Sequence, residues 1–340
     1  MTENQSEKIQ VVVAADFSDE IMAKLQNISD TFHIERHFPD VSDDVYAKAE
    51  ILYTIRNFPS PEQAPNLKWL QVHYAGLDKV IGRPIITDTN IELTSASGIH
   101  AVPIAEYCIG MMLAWELQLK KMIQHQNETT WLDNPHALFK PYGLRDKTVG
   151  IAGYGSIGRE LGRIAHAMGM KVLATKRDLL ATTEDSGYAE SGIGDASGDI
   201  PERFYPTEAL GSMASECDYL VLAVPLTDNT YHMVDAEILN RMPSSCVLIN
   251  IARGSVVDEP ALIDALKNKK IAGAILDVFE EEPLPAESPL WKMENVIMSP
   301  HVAGNHTRYN ERAAAVFAEN LRRYAEKEPL LNRLDRNVGY

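Results

Sequence analysis

Residues 148–169 read TVGIAGYGSIGRELGRIAHAMG. The first five are short and apolar, as a strand buried in a parallel sheet is. Gly153, Gly155 and Gly158 follow with the spacing GxGxxG, and Arg159 opens a stretch of helical periodicity. Such a glycine triplet is weak evidence alone. Between a strand and a helix it gains meaning, because the amides at the helix start face outward and the helix dipole favours an anion there. The stretch predicts a dinucleotide pyrophosphate over Gly153, Tyr154, Gly155, Ser156, Ile157 and Gly158.

Working outward, MKVLAT, DYLVLAV, CVLIN, GAILDV and VIMSP are further apolar runs downstream, each followed by a turn or helix signal. Strands alternating with helices predict a parallel, doubly wound sheet. Upstream, residues 9–16 (IQVVVAAD) read as another buried strand, with a helix from about Asp19 capped by Ser18. His33 to Phe38, Ile51 to Asn57, Trp69 to His73 and Ile91 to Ser95 read as the remaining strands of a smaller α/β unit. Ala101 to about Gln126 reads as one long helix, with Pro103 tolerated near its start. A last helix, about Thr307 to Glu326, is expected to pack back on the first unit.

A chain of 340 residues is long for one core. The expected architecture is α/β in two domains. A Rossmann-type doubly wound sheet (99–302) is inserted in a smaller, flavodoxin-like α/β substrate domain (1–98 and 303–340). A cleft between two such domains is the expected ligand site.

The charge balance, 32 basic against 48 acidic residues, argues against a general nucleic-acid binder. The three cysteines, Cys108, Cys217 and Cys246, are not spaced as a motif, and a reduced cytoplasmic protein is the expectation. The opening MTENQSEK shows no signal-peptide run, and Tyr107 to Trp115 is too short to span a bilayer. No metal is expected: His73, His100 and His301 lack ligand spacing, and there is no CxxC or HExxH. Ser156 belongs to the glycine turn and is no nucleophile elbow.

Polar residues at strand ends suggest the chemistry. After the glycine turn, an acid at the next strand end reads a ribose hydroxyl, whereas a base suits a 2′-phosphate. Here the end reads Ala174-Thr175-Lys176-Arg177-Asp178, which favours NADP over NAD through Thr175, Lys176 and Arg177; a slip of two residues would restore an acid, Asp178. Arg253 follows CVLIN, Asp277 follows GAIL, and His301 follows VIMSP. Each alone has an ordinary reading: a solvated arginine, a turn-capping aspartate, one histidine of ten. Together, at successive strand ends of one sheet, an arginine can clamp a carboxylate and a histidine beside Glu282 can move a proton. Glu280 and Glu281 read as a solvated charge run. The polar stretch 178–206 reads as a solvated surface loop, or else as a flap near the adenosine end of the cofactor.

Over most of its length the chain resembles the D-isomer-specific 2-hydroxyacid dehydrogenase family. The resemblance lies in VHYAGLDKV (72–80), IAEYCIGMML (104–113), residues 144–172, CDYLVLAVPLTDNTYHMV (217–234), LINIARGSVVDEPAL (248–262), GAILDVFEEEPLP (273–285), SPHVAG (299–304) and the ending PLLNRLDRNVGY. It implies hydride exchange between a nicotinamide cofactor and a 2-oxo or 2-hydroxy acid. Arg253 would bind the substrate carboxylate, His301 would serve as acid and base, and Glu282 would hold His301. Amides at Tyr74, Ala75 and Gly76 would complete the carboxylate site. Asp277 would lie near the nicotinamide amide, with Val224, Pro225 and Thr230 on the adenosine side. Ile251, Ala252, Arg253, His301, Ala303 and Gly304 would also line the cofactor. The resemblance further implies a homodimer through 101–143. Lys176 departs from the family's ribose-binding acid, and the 178–206 connection is longer than usual. Alternatives are a corepressor-like nucleotide-sensing scaffold and a phosphite- or formate-type dehydrogenase of the same family. Tyr74, His100, Trp131, Tyr142 and His306 are candidate pocket walls.

Overall fold

The computed structural model describes residues 8–179 and 187–336. The chain separates into two compact units, the described residues of Met1–Ile99, Ser186–Glu190 and His306–Tyr340, and those of His100–Asp185 and Ser191–Asn305. Residue 99, residues 303–305 and the short segment 187–190 thus lie on the other side of the boundaries expected from the sequence. The segment joins the first unit for a physical reason. The amide of Tyr188 donates to Asn332 Oδ1 (3.1 Å), and Glu190 pairs with Arg312 at 3.0 Å.

In the first unit, β1 (Ile9–Ala14), β2 (Phe32–Arg36), β3 (Ile51–Thr54), β4 (Trp69–Val72) and β5 (Glu92–Thr94) form a parallel sheet of order β2-β1-β3-β4-β5. That is the flavodoxin-like order. Apolar residues alternate between its faces, as the strand period requires. Val11 and Val13 pack with Phe317 and Leu321 of the Tyr309–Glu326 helix, while Val12 and Ala14 pack with Leu52, Leu70 and Ile85. The last helix therefore returns to the first unit as expected. Ser18 caps the Asp19–Gln26 helix, its side chain accepting from the Ile21 amide.

The second unit contains seven strands, β6 (Thr148–Ala152), β7 (Lys171–Thr175), β8 (Arg203–Tyr205), β9 (Tyr219–Leu222), β10 (Val247–Asn250), β11 (Gly273–Leu276) and β12 (Val296–Met298). All pairs are parallel, in the order β12-β11-β10-β9-β6-β7-β8. The strand order reverses between β6 and β9, and ligands of such sheets bind outside the carboxyl ends near that point. Leu220, Leu248 and Ala274 face one layer of helices, and Tyr219, Val247 and Ile275 face the other. A sheet covered on both faces explains why its strands read as unbroken apolar runs.

Two expectations need correction. The helix from Ala101 stops at Glu116 and a second begins at Leu119, with Gln118 between them in the left-handed region (φ 54°). The break turns Lys120 so that its ammonium reaches the carbonyls of Met293 (2.8 Å) and Val296 (3.0 Å). The 178–206 stretch is not simply a solvated loop, for it supplies the edge strand β8 and a fixed turn at Asp195. Its residues 180–186, like residues 1–7 and 337–340, lie outside the described residues. Among the described residues, no helix is long and apolar enough to cross a membrane, and no cluster of His, Cys, Asp or Glu could hold a metal.

Candidate active site at the strand ends

The glycine turn joins β6 to the Ser156–Ala167 helix. Gly153 adopts φ +96°, and a Cβ there would lie 2.7 Å from the Ala223 carbonyl oxygen. A Cβ on Gly158 would lie 2.4 Å from the Gly153 carbonyl oxygen. Among the described residues, nothing lies within 4 Å of a Cβ built on Gly155, the residue before the helix. The first and third glycines thus permit a tight turn and close helix packing. The second leaves open space at a helix N-terminus, the cradle a pyrophosphate requires. The residues present fit a dinucleotide.

Three of the residues expected at the cofactor face inward. Tyr154 is buried, and its hydroxyl donates to Asp195 Oδ2 (2.8 Å). Burial first, then the bond to Asp195, push this phenol far above its ordinary pKa. Thr175 is 1% exposed, and its hydroxyl oxygen accepts from the Gly153 amide (3.2 Å). A hydroxyl so deep holds the turn and cannot face a ribose phosphate, which corrects the expectation for Thr175. Thr230 donates to the Pro225 carbonyl (2.6 Å) and accepts from the Thr227 amide (2.8 Å), so its hydroxyl closes the turn after β9. Val224 is half-buried and Pro225 exposed on that turn. Past Thr175 the chain emerges: Lys176 is half-buried, and Arg177 and Asp178 are exposed.

The Asp195 carboxylate also gathers the amides of Gly198, Asp199 and Ile200, each at 3.1 Å. Arg159, 2% exposed, donates to the Asp195 carbonyl, and Glu160 accepts from the Gly194 amide (2.7 Å). Residues 194–200 thus clip onto the first turn of the glycine helix. Sequence reading missed Asp195, because its links to the glycine helix, from Tyr154 and Arg159, cross 41 and 36 residues of chain.

β10, β11 and β12 are neighbours, and their carboxyl ends bear Arg253, Asp277 and His301. After β10, the side-chain amide of Asn250 donates to the Arg253 carbonyl (2.9 Å) and its oxygen accepts from the Ala252 amide (3.1 Å). Ile251 and Ala252 are buried, while Arg253 is half-buried and donates to the Ala252 carbonyl at 2.8 Å. A Cβ on Gly254 would sit 1.8 Å from the Phe279 carbonyl carbon, so the arginine turn is pressed against the 277–282 segment. No side chain fits at Gly254.

Glu282 is fixed at both oxygens. Oε1 accepts from the Phe279 amide (3.1 Å), and Oε2 lies 2.8 Å from His301 Nδ1. His301 itself sits at φ 54°, a conformation costing about 1–2 kcal/mol for a residue with a Cβ. Its amide donates to the Asp277 carbonyl (2.8 Å). Asp277, 2% exposed, accepts from Val302 and Ala303 amides at 2.9 Å each and from Ser299 Oγ at 2.5 Å. Its carboxylate therefore holds the His301 segment, while its amide donates to the Asn250 carbonyl (3.0 Å). Gly304 closes on His100: a Cβ there would lie 2.8 Å from the imidazole Cδ2. Glu280 and Glu281 are exposed, as expected of a solvated run, and Glu280 also pairs with His232 at 2.6 Å.

In the first unit, Tyr74, Ala75 and Gly76 come after β4 and the buried His73, and are half-buried. Trp131 and Tyr142 are each 92% exposed, and His306 Nδ1 accepts from the Arg308 amide (3.0 Å).

A family model described as D-isomer specific 2-hydroxyacid dehydrogenase, NAD binding domain, matches residues 109–303, more than half of the chain. The chain belongs to the D-isomer specific 2-hydroxyacid dehydrogenase family. It is therefore a nicotinamide-dependent oxidoreductase whose substrates are small 2-oxo and 2-hydroxy acids. Among curated relatives of this dehydrogenase, a glyoxylate reductase of Korarchaeum cryptofilum (strain OPF8) is 33% identical over 261 residues, covering 76% of this chain and 74% of the relative. A glyoxylate/hydroxypyruvate reductase B of Yersinia pestis (strain Pestoides F) is 34% identical over 257 residues, covering 74% and 73%. The crystal structure of a D-isomer specific 2-hydroxyacid dehydrogenase from Xanthobacter autotrophicus Py2, in complex with NADPH and MES, superposes with a TM-score of 0.78. It is 27% identical, with 98% of this chain and 100% of that chain covered.

Proposed function

We propose that this dehydrogenase reduces a short 2-oxo acid, glyoxylate or hydroxypyruvate, with NADPH as the preferred cofactor. The observation behind this reading is the His301–Glu282 pair at 2.8 Å, on the strand end next but one to that of the Arg253 turn. When bound, the nicotinamide supplies the hydride that adds to the carbonyl carbon. The protein does the rest. Arg253 presents a planar fork that binds a carboxylate through two parallel bonds. Glu282 holds Nδ1 of His301, which directs Nε2 outward as proton donor to the carbonyl oxygen. In oxidation the same nitrogen accepts the proton. The amides of Tyr74, Ala75 and Gly76 are further carboxylate-binding candidates. Gly153 to Gly158, Val224, Pro225, Thr230, Ile251, Ala252, Asp277, Ala303 and Gly304 are the cofactor candidates, several through backbone alone.

The choice of substrate follows two sets of relatives named for glyoxylate and hydroxypyruvate reduction. NADPH is favoured by Lys176 and Arg177, which follow directly as the chain emerges from β7. A homodimer is supported by apolar side chains on the Leu119–Asn127 helix and the following loop: Leu119, Met122 and Ile123 are 43%, 37% and 48% exposed, and Trp131 92%. Monomeric proteins rarely expose such a cluster. The cytoplasm is the compartment we propose.

The test is a panel of 2-oxo acids with NADPH and NADH on purified protein. Glyoxylate or hydroxypyruvate with NADPH should give the highest kcat/KM. No turnover of any 2-oxo acid would overturn the reading. Light scattering should give twice the 37.8 kDa chain mass.

A further inference from the structure

Behind His301 lies a line of hydrogen bonds that the chemistry above does not use. Tyr107, in the Ala101–Glu116 helix, places its hydroxyl 2.6 Å from Ser299 Oγ. Ser299 Oγ is 2.5 Å from Asp277 Oδ1. The donors can be assigned by elimination. A carboxylate has no hydrogen to give, so Ser299 gives its single hydrogen to Asp277. Ser299 Oγ can then only accept, and Tyr107 is the donor. Burial pushes the Tyr107 phenol up to about 12, against the lowering effect of the Ser299 bond. It keeps its hydrogen throughout the neutral range.

The far end of the line is the reacting segment itself. Ser299 reaches Asp277 by its side chain, and His301, Val302 and Ala303 reach it by their amides. Pro300, the remaining member, has no amide hydrogen. The segment is wrapped around one buried carboxyl residue. That wrapping holds His301 in a backbone conformation that side chains disfavour (φ 54°). The imidazole direction depends on that conformation.

We propose that Tyr107 is a positioning residue for His301, acting through Ser299 and Asp277. It fixes the orientation of Asp277, and Asp277 fixes the left-handed turn that aims the imidazole at Glu282. The inference rests on the reading of His301 as proton donor, but one of its tests does not.

Tyr107→Phe removes one oxygen and leaves the ring in place. In glyoxylate reduction with NADPH, kcat should fall on the order of 10-fold, the effect of one buried hydrogen bond expressed in the transition state. KM for NADPH and Tm should stay near wild type. Ser299→Ala, which breaks both links, should lose more, and Ser299→Thr, which keeps the hydroxyl, should restore kcat. Independently of turnover, the ring resonances of His301, assigned by loss in His301→Ala, should shift or broaden in Tyr107→Phe. The signals of the other histidines should hold. Wild-type kcat together with an unmoved His301 signal overturns the proposal. So does a parallel loss of kcat, NADPH affinity and Tm, which marks general damage to the core. Should the wild-type enzyme reduce no 2-oxo acid, the proposed reaction fails, and the His301 resonance still decides the positioning.

Discussion

The carboxyl ends of β10, β11 and β12 and those of β6 and β7 belong to one sheet, yet they are built on different principles. At the first, side chains hold one another. Glu282 is bonded at both oxygens, Asp277 gathers a whole segment, and Gly254 admits no added atom. At the second, the proposed cofactor-facing surface is backbone, with open space at Gly155 and with Lys176, Arg177 and Asp178 emerging from the core. Proton transfer demands placement within fractions of an ångström. Recognition of a phosphate needs amides and charge, which tolerate displacement. Substitutions in the first region should therefore act on kcat, and those in the second on KM.

The strongest test of the contrast is His301. His301→Ala removes the proposed proton donor and should lower kcat by about 10²–10⁴-fold. NADPH binding, measured by fluorescence quenching, should remain. A variant that loses cofactor binding in step with kcat would erase the division between the two regions.

Arg253 comes next. Lysine keeps the charge but cannot form two parallel bonds to a carboxylate. Arg253→Lys should lower kcat/KM for the 2-oxo acid by about 10-fold to 10³-fold, at charge-assisted bonds of roughly 1.5–3 kcal/mol. KM for NADPH should change little. Activity within about threefold of wild type would remove Arg253 from the carboxylate.

Much of this was legible in the sequence, and what was not has a common cause. The strand–glycine–helix stretch and the apolar runs announce the doubly wound sheet, because a strand buried on both faces has to be apolar throughout. The strand-end places of Arg253 and His301 could be read because each comes three residues after a strand, with Glu282 six after β11. The supports could not. Tyr107 and Ser299 are 192 residues apart, and no local pattern links a helical tyrosine to a serine after β12. Asp195 lay in a stretch whose polarity suggested solvent, yet its carboxylate is spent on backbone amides, which composition does not show. Thr175 failed for the converse reason. Its place at the strand end was read correctly, but the direction of its hydroxyl is set by the Gly153 amide.

The second region is tested by Lys176→Asp. An acid beside a 2′-phosphate repels it, whereas an acid can accept from a ribose hydroxyl. NADPH should lose its advantage over NADH by on the order of 10²-fold in kcat/KM, at roughly 1.5 kcal/mol for each of two charge-assisted contacts. The change should fall on KM, because the contact is remote from the reacting carbon and is made equally in ground and transition states. Salt should narrow the wild-type preference, since Arg177 is exposed. Equal KM values for the two cofactors in wild type would show that Asp178 meets the ribose.

The smallest expected effect concerns the cores beneath the two regions. Cys108 underlies the first: it is fully buried, and burial, then the charge of Asp277, push its thiol up to about 12. Cys217 underlies the second, where a Cβ on Gly150 of β6 would meet its sulfur at 2.3 Å, and burial likewise pushes it up to about 12. Only a thiolate reacts readily with iodoacetamide, and at pH 8 such groups expose about 10⁻⁴ of it. Treatment of the folded enzyme should leave activity unchanged and both residues unlabelled by mass spectrometry. As denaturant is added, labelling should follow opening of the core above each cysteine. The bonded network around Asp277 predicts that Cys108 labels no faster than Cys217. If Cys108 labelled first, the reacting corner would be the looser of the two, and the contrast drawn from its hydrogen bonds would be reversed.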